Sequence, residues 1–311
     1  MDYRRLGNSG LKVSEIGLGC NNFGMRIDQA ATNEVVAAAL DAGINFFDTA
    51  DIYGGRKSEV MLGQALGARR HDIVLATKFA GPTGAGPDQR GGSRRYVINA
   101  LEASLRRLGA DYIDLYQMHF PDPDTPIEET LRALDDAVTA GKVRYIGNSN
   151  FTGWQIADAD WIARSGHMNR FVSAQNNYSL LERKVEFEVI PACQRFGLGL
   201  LPYFPLASGL LSGKYRRGEA PGEGTRLAAW GERGAQALND KNFDRIEALT
   251  AWAADRGHGL LELAFAWLLG HPAVPSVIAG ATRPDQVRAN AAAGAWKLTA
   301  EEVEAVSALA A

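Results

Sequence analysis

What the chain has little of narrows it first. Its two cysteines, Cys20 and Cys193, stand far apart without a partner motif, so neither a disulfide framework nor a zinc cluster can be assembled from them. Both read as small buried hydrophobes. No run reaches the roughly 18 apolar residues of a membrane helix. Met1-Asp2-Tyr3-Arg4-Arg5 lacks the apolar core of a signal peptide, so a cytoplasmic protein with no membrane partner is expected. Neither sign of charge dominates: 33 Lys and Arg face 36 Asp and Glu, a net charge of −3. Interspersed in this way, they offer nucleic acid no basic face. Ser208 lacks a Gly-x-Ser-x-Gly elbow, which leaves a serine hydrolase unsupported. Gly17-Leu18-Gly19 hints at a dinucleotide fingerprint, but Asn22 stands where its third glycine belongs. His71, His167, His258 and His271 show no ligand spacing, so no metal is expected.

What is present is a regular alternation. The 311 residues are 46% hydrophobic, enough for a large core, and a (β/α)8 barrel commonly exceeds 250 residues as one unit. One domain over residues 1–311 is therefore expected. Tyr3-Arg4-Arg5-Leu6, Asn8-Ser9-Gly10 and Leu11-Lys12-Val13 read as an N-terminal hairpin. Eight strand candidates follow: Ile16–Gly19, Asn45–Asp48, Ile73–Lys78, Ile113–Met118, Tyr145–Gly147, Val172–Gln175, Leu198–Tyr203 and Ser276–Ala279. Pro202 predicts that pairing of the seventh stops early. Between them lie helical patterns with start signals at Thr125-Pro126-Ile127-Glu128, Thr152-Gly153-Trp154-Gln155 and Thr299-Ala300-Glu301-Glu302. The last opens an extra C-terminal helix outside the barrel. Gly43, Gly109 and Gly141 end helices, and Trp154, Trp161, Trp252 and Trp267 are expected to pack.

An alternation of this kind closes a barrel or forms an open doubly wound sheet. A barrel places its functional residues at strand C-terminal ends, and four successive strands here end on reactive groups. Asn45-Phe46-Phe47-Asp48 leads into Tyr53, the next strand ends in Lys78, the next in His119, and the next in Asn148-Ser149-Asn150. Lys78, inside the mouth, needs an anion, and Asp48 is the candidate. A free phenol titrates near pH 10, and a neighbouring ammonium lowers that value. Tyr53 beside Lys78 would then protonate a carbonyl oxygen, with His119 orienting the carbonyl. Singly, these residues read as a structural ion pair, a packing tyrosine and a core histidine. Their joint position at consecutive strand ends favours a site.

The chain resembles the aldo-keto reductase superfamily over nearly its whole length. The resemblance rests on Asn45-Phe46-Phe47-Asp48-Thr49-Ala50 with Tyr53-Gly54, on Ala76-Thr77-Lys78, and on Tyr116-Gln117-Met118-His119. It continues through Gly141-Lys142-Val143-Arg144-Tyr145-Ile146-Gly147-Asn148-Ser149-Asn150 and Gln175-Asn176-Asn177-Tyr178-Ser179. It implies a catalytic tetrad of Asp48, Tyr53, Lys78 and His119, and NADPH or NADP+ as cofactor, with NADH the alternative. By position, Ser149, Asn150 and Gln175 would hold the carboxamide, and Tyr203 would stack under the nicotinamide. Pro205, Leu206, Ser208, Gly209, Leu211 and Lys214 would lie in the loop that wraps the pyrophosphate with backbone amides. Gly280, Thr282, Arg283, Gln286 and Asn290 would serve the adenosine end, at a helix N-terminus suited to phosphate. Many members have Lys-Ser where this chain has Gly280-Ala281, and Phe204 replaces a common serine.

The partner implied is a small carbonyl compound. Loops after Phe23-Gly24-Met25, from Phe79 to Ser93, at Phe120-Pro121-Asp122-Pro123-Asp124 and from Arg216 to Asn239 would line its pocket. Phe23, Phe79, Phe120 and Trp230 suggest an apolar wall. Arg216, Arg217, Arg226 and Arg233 offer cations for an acidic substrate, or are solvated loop charges. With the chain ending soon after its last helix, an open pocket is expected. Reduction of aldehydes and ketones is the first reading. An NAD(P)-dependent sugar or polyol dehydrogenase is the second. A cofactor-binding sensor resembling potassium-channel β subunits is the third, which the short segment before the first strand does not favour. The sequence leaves the oligomeric state open.

Overall fold

Short apolar runs separated by helical patterns leave the strands little choice but to pair in parallel. The computed structural model describes every residue except Pro87 and Glu223, and the side chain of Arg233. An antiparallel hairpin, β1 (Tyr3–Arg5) and β2 (Lys12–Ser14), precedes β3 (Ile16–Gly19), β4 (Phe46–Asp48), β5 (Val74–Phe79) and β6 (Ile113–Met118). Then come β7 (Val143–Ser149), β8 (Phe171–Asn177), β9 (Gly199–Tyr203) and β10 (Val277–Gly280). From β3 to β9 each strand pairs in parallel with the next, and β10 returns beside β3, giving a nearly closed (β/α)8 barrel. Among the described residues only the seam between β9 and β10 lacks a strand ladder.

Pro202 does not end the pairing of β9 early. Asn176 and Asn177 of β8 stay in register with Pro202 and Tyr203. Direction explains this. Leu200 turns its N–H away from β8 and donates to the Ala273 carbonyl at 2.7 Å. Pro202, two residues on, has its missing N–H on that same side, at the seam, where no ladder is broken.

The period of two along each strand sorts the interior into layers. Phe46, Val74, Ala76, Leu115, Leu201 and Ile278 form an apolar cluster, to which the hairpin region adds Leu6 and Val13. Gly7 packs against the backbone of Gly197 and Gly199, at the start of β9, so the hairpin plugs the N-terminal end. One step further along the same rows, Phe46 gives way to Asp48, Ala76 to Lys78 and Leu115 to Gln117. The barrel is thus oily below and charged at its C-terminal rim. A second, larger cluster fills the space between strands and helices.

Helix boundaries follow the sequence signals with one exception. Thr299 and Glu302 form a reciprocal box at the start of the helix Ala300–Leu309, which lies outside the barrel on its buried Val306. Gly109 ends Arg94–Leu108 at a φ of 59°. Thr125, expected to cap, instead donates its hydroxyl to Asp122 at 2.8 Å, and the helix begins at Ile127. Two tryptophans also depart from expectation. Trp267 is buried, but Trp154 and Trp161 are 65% and 71% exposed, on the outer face of the helix Gly153–Ser165. Both cysteines are buried and free. No helix among the described residues is long and apolar enough to cross a membrane.

Candidate active site

The polar layer at the rim is one hydrogen-bonded cluster. Asp48 closes β4 and is buried, as is Lys78 on β5. The Lys78 Nζ donates to Asp48 Oδ2 at 2.6 Å, to the Thr49 carbonyl at 2.9 Å and to the Tyr53 hydroxyl at 3.4 Å. All three ammonium protons have acceptors, which is what an internal charge requires. The other carboxylate oxygen, Asp48 Oδ1, accepts from the side-chain amides of Gln117 at 3.1 Å and Gln175 at 2.9 Å. Gln117 had not been singled out in the sequence. The available signal was period two along β6, which puts it on the inward row with Leu115. Gly147 of β7 makes room for it, since a methyl there would lie 3.2 Å from Gln117 Cγ and 2.3 Å from Ser173 Oγ.

Tyr53 reaches the cluster from a tight turn after β4. Gly54, Gly55 and Arg56 all take left-handed φ values, of 58°, 61° and 75°. A Cβ on Gly54 would sit 2.2 Å from the Phe23 carbonyl oxygen, so only glycine fits. His119 follows β6, its N–H bonded to the Phe79 carbonyl at 2.8 Å. Its ring meets Tyr53 edge-on, with centroids 5.7 Å apart, and stacks on Phe120 at 4.4 Å. The four residues expected at the rim are therefore together.

The protonation states correct one expectation. Burial pushes the Tyr53 phenol above its ordinary value; Lys78 pulls it down, as anticipated, but does not offset the burial. Tyr53 therefore rests as the protonated acid. Burial also works against the Lys78 charge, yet Asp48 and then Tyr53 outweigh it and hold the ammonium above the ordinary lysine value. Burial, then the Lys78 cation, lowers the His119 imidazole to about 2, so it is neutral at any working pH. Its Nδ1 is buried with no partner.

The residues assigned to the carboxamide continue the same network. Ser149 Oγ donates to the Gln175 carbonyl at 2.8 Å. Asn150, at φ 62°, donates to the His119 carbonyl at 2.9 Å and accepts from the Tyr203 hydroxyl at 2.8 Å. Tyr203, half-buried, presents a platform at the mouth.

Farther out the expectations hold less well. Phe204, Ala207 and Ser208 occupy left-handed backbone at φ 52°, 46° and 61°, a strained loop of the sort that collects at ligand sites. Yet the amides of Gly209 and Leu211 both donate to the Leu206 carbonyl, at 2.8 and 3.1 Å, so they are not free for phosphate. Pro205 and Leu211 are buried, and Lys214 lies exposed over the Tyr215 ring. After β10, Gln286 accepts from the Thr282 N–H at 2.8 Å, Asn290 is buried, and Gly280 is exposed. Arg283 is exposed and pairs with Asp285 at 3.1 Å.

The apolar wall is also revised. Phe23 and Phe79 are fully buried in the core, leaving Phe120, 41% exposed, and the half-buried Trp230 near the mouth. Of the four loop arginines, Arg217 is tied to Asp240, Asp244 and Glu247, Arg216 is exposed, and the Arg233 side chain lies outside the described residues. Arg226 differs. It lies half-buried over the Phe204 ring, 3.5 Å from Asn22 Oδ1, and burial, then the neighbouring Arg26, lowers its pKa. Among the described residues neither Arg26 nor Arg226 has an ion-pair partner; Arg26 donates to the Gly224 carbonyl.

A buried Lys–Asp pair against a protonated phenol, beside a neutral imidazole, is an arrangement suited to giving a proton to a carbonyl oxygen. The family model described as Aldo/keto reductase family matches residues 15–311, and the chain belongs to that family. Its members use nicotinamide cofactors. Among curated relatives, a probable voltage-gated potassium channel subunit beta of Oryza sativa subsp. japonica is 38% identical over 297 residues, covering 93% of this chain and 90% of the relative. The uncharacterized oxidoreductase YrpG of Bacillus subtilis (strain 168) is 39% identical over 299 residues, 93% and 89% of the two chains. Versiconal hemiacetal acetate reductase of Aspergillus parasiticus is 34% identical over 332 residues, 98% and 95%.

Proposed function

We propose that this chain, as one domain over residues 1–311, catalyses the NADPH-dependent reduction of aldehydes and ketones to alcohols, with Tyr53 as the proton donor. The observation that carries this is the contact between Tyr53 and Lys78, in which a protonated phenol faces an ammonium that cannot leave Asp48. When bound, the reduced nicotinamide supplies hydride to the carbonyl carbon. The protein supplies everything else. Neutral His119 donates a hydrogen bond that orients the carbonyl, and its unpartnered Nδ1 leaves the ring tautomer free to do so. As negative charge grows on the substrate oxygen, Tyr53 releases its proton there, and Lys78 stabilises the phenolate left behind. Asp48, fixed by Gln117 and Gln175, keeps the ammonium in position. The buried, raised phenol rests in the protonated form from which reduction starts, whereas oxidation would start from the phenolate.

The mouth fits the cofactor in its parts. Ser149, Asn150 and Gln175 carry the amide and hydroxyl groups a carboxamide needs, though their donors would have to leave the Gln175 carbonyl, the His119 carbonyl and Asp48, and Tyr203 has a face for stacking. The helix Pro284–Ala293 begins beside Thr282, Arg283 and Gln286, which suits a 2′-phosphate once Arg283 leaves Asp285. Arg226 adds a cation for the pyrophosphate, in place of the amides that Gly209 and Leu211 have already committed.

Similarity to a named channel β subunit supports a second reading, a cofactor-binding sensor. A sugar or polyol dehydrogenase would run the same site in the other direction. Steady-state NADPH oxidation with a panel of aldehydes separates these readings. Turnover is expected with several of them. Tight NADPH binding with no turnover on any would leave the sensor, and turnover only with NADP+ and a polyol would leave the dehydrogenase.

A further inference from the structure

A buried carboxyl two residues before Tyr53 is not used by the chemistry above. Asp51 is 1% exposed, and its N–H donates to the Lys78 carbonyl at 3.1 Å. Asp51 Oδ2 lies 3.1 Å from the Tyr96 hydroxyl, while Oδ1 is buried with no partner. The same hydroxyl lies 3.1 Å from the carbonyl oxygen of Gly81, in the loop after β5. Proton counting makes this informative. A tyrosine hydroxyl has one hydrogen, and a carboxylate and a carbonyl both only accept. With Asp51 ionised, one of the two contacts sets oxygen against oxygen with nothing between. With Asp51 protonated, its O–H donates to Tyr96, Tyr96 donates to Gly81, and both contacts are satisfied.

We propose that Asp51 is held as the neutral acid and heads a proton-ordered chain, Asp51 to Tyr96 to Gly81, that ties the turn carrying Tyr53 to the loop after β5. Asp51 is a positioning residue, because it acts on Tyr53 and the substrate loop without touching the reacting atoms. The surroundings agree. Burial, then the nearby Glu59 carboxylate, raises Asp51 to about 7, against weaker pulls from Tyr96, Arg107 and Arg56. Glu59 is itself committed, accepting from Arg107 at 2.7 Å and from Thr77 at 2.6 Å. The remaining titratable neighbour, Tyr116, is buried and pushed well above its ordinary value, so it stays neutral. When Asp51 ionises, the single Tyr96 hydrogen turns to the carboxylate and Gly81 loses its donor. The chain then acts as a latch that slackens as pH rises past neutrality.

The kinetic consequence rests on the reductase reading; the protonation itself does not. Infrared difference spectroscopy of the purified protein against Asp51→Asn at pH about 6 should show a carboxylic-acid C=O band that the variant lacks. Tyr96→Phe, which deletes the acceptor, should shift that band to higher frequency. Wild-type stability relative to Asp51→Asn should fall from pH about 4 to about 7 with a slope of one proton, since the folded state holds a proton that the unfolded chain has released. No acid band in the wild type, with a flat stability difference over that range, would overturn the proposal in favour of an ionised Asp51 and a bifurcated tyrosine. If turnover is measurable, kcat should drop several-fold between pH about 6 and 8 in the wild type and stay level in Asp51→Asn, whose amide donates permanently. Parallel pH profiles would show that the chain does not position Tyr53. Absence of turnover at every pH would count against the reductase reading and leave the spectroscopic result standing.

Discussion

The two ends of the barrel mouth are built differently. At the proposed catalytic end, Asp48 and Lys78 are buried and the charged atoms of both have protein partners, so their geometry exists before any ligand arrives. At the proposed phosphate end, Arg283 rests on Asp285 in solvent, Lys214 lies over Tyr215, and among the described residues Arg26 and Arg226 have no carboxylate partner. The difference follows from the charge each end holds alone. An internal ammonium without its anion is expensive, so that pair is completed by the fold. Exposed cations such as Arg283 and Lys214 cost little to leave without a buried anion, so on the proposed reading the phosphate end is completed by the ligand. On the proposed reading, chemistry is pre-organised and cofactor capture is adaptable.

This contrast can be broken by substitution at either end. Lys78→Met should have the largest effect, lowering kcat by about 10²–10⁴ through loss of acid–base catalysis. It should also lower stability by about 3–5 kcal/mol, because Asp48 would remain as an uncompensated buried charge. Chemical denaturation alongside single-turnover kinetics checks both; a stable, active variant would show that the pair is dispensable. Arg283→Ala should weaken NADPH binding by about tenfold and leave NADH unchanged, with stability intact. Fluorescence titration with the two cofactors checks this, and equal losses for both would place the 2′-phosphate elsewhere. Phe120→Ala should have the smallest effect. It should raise KM for aromatic aldehydes by about fivefold, with kcat nearly unchanged, because a contact with an exposed ring is worth about 1 kcal/mol, the low end of the range for a pocket methylene. A matching loss with small polar aldehydes would mean that Phe120 acts by holding His119.

The same divide governs what could be read from the chain alone. The barrel and the meeting of Asp48 with Lys78 were legible because strand period and strand ends fix both direction and height, continuing the inward rows of Phe46 and Ala76, while Tyr53 and His119 lie just past their strands in segments that match the family. Positions set by the longer loops were not. The commitment of the Gly209 and Leu211 amides to Leu206 depends on three left-handed residues with no glycine to signal them. Phe23 and Phe79 look like pocket aromatics in one dimension and are core in three. The exposed Trp154 and Trp161 fall a helical repeat apart, which marks a shared face without saying which side is solvent. The sign of the Tyr53 shift was misjudged because it sets an identifiable neighbour against burial, and burial is invisible in a sequence.

The central claim is that Tyr53 gives the proton, with Lys78 stabilising the phenolate it leaves and His119 orienting the carbonyl. Tyr53→Phe tests it most directly, with NADPH affinity from fluorescence titration and carbonyl reduction from single-turnover kinetics on one preparation. The account predicts unchanged affinity and near-complete loss of reduction. Wild-type rates with affinity intact would contradict it.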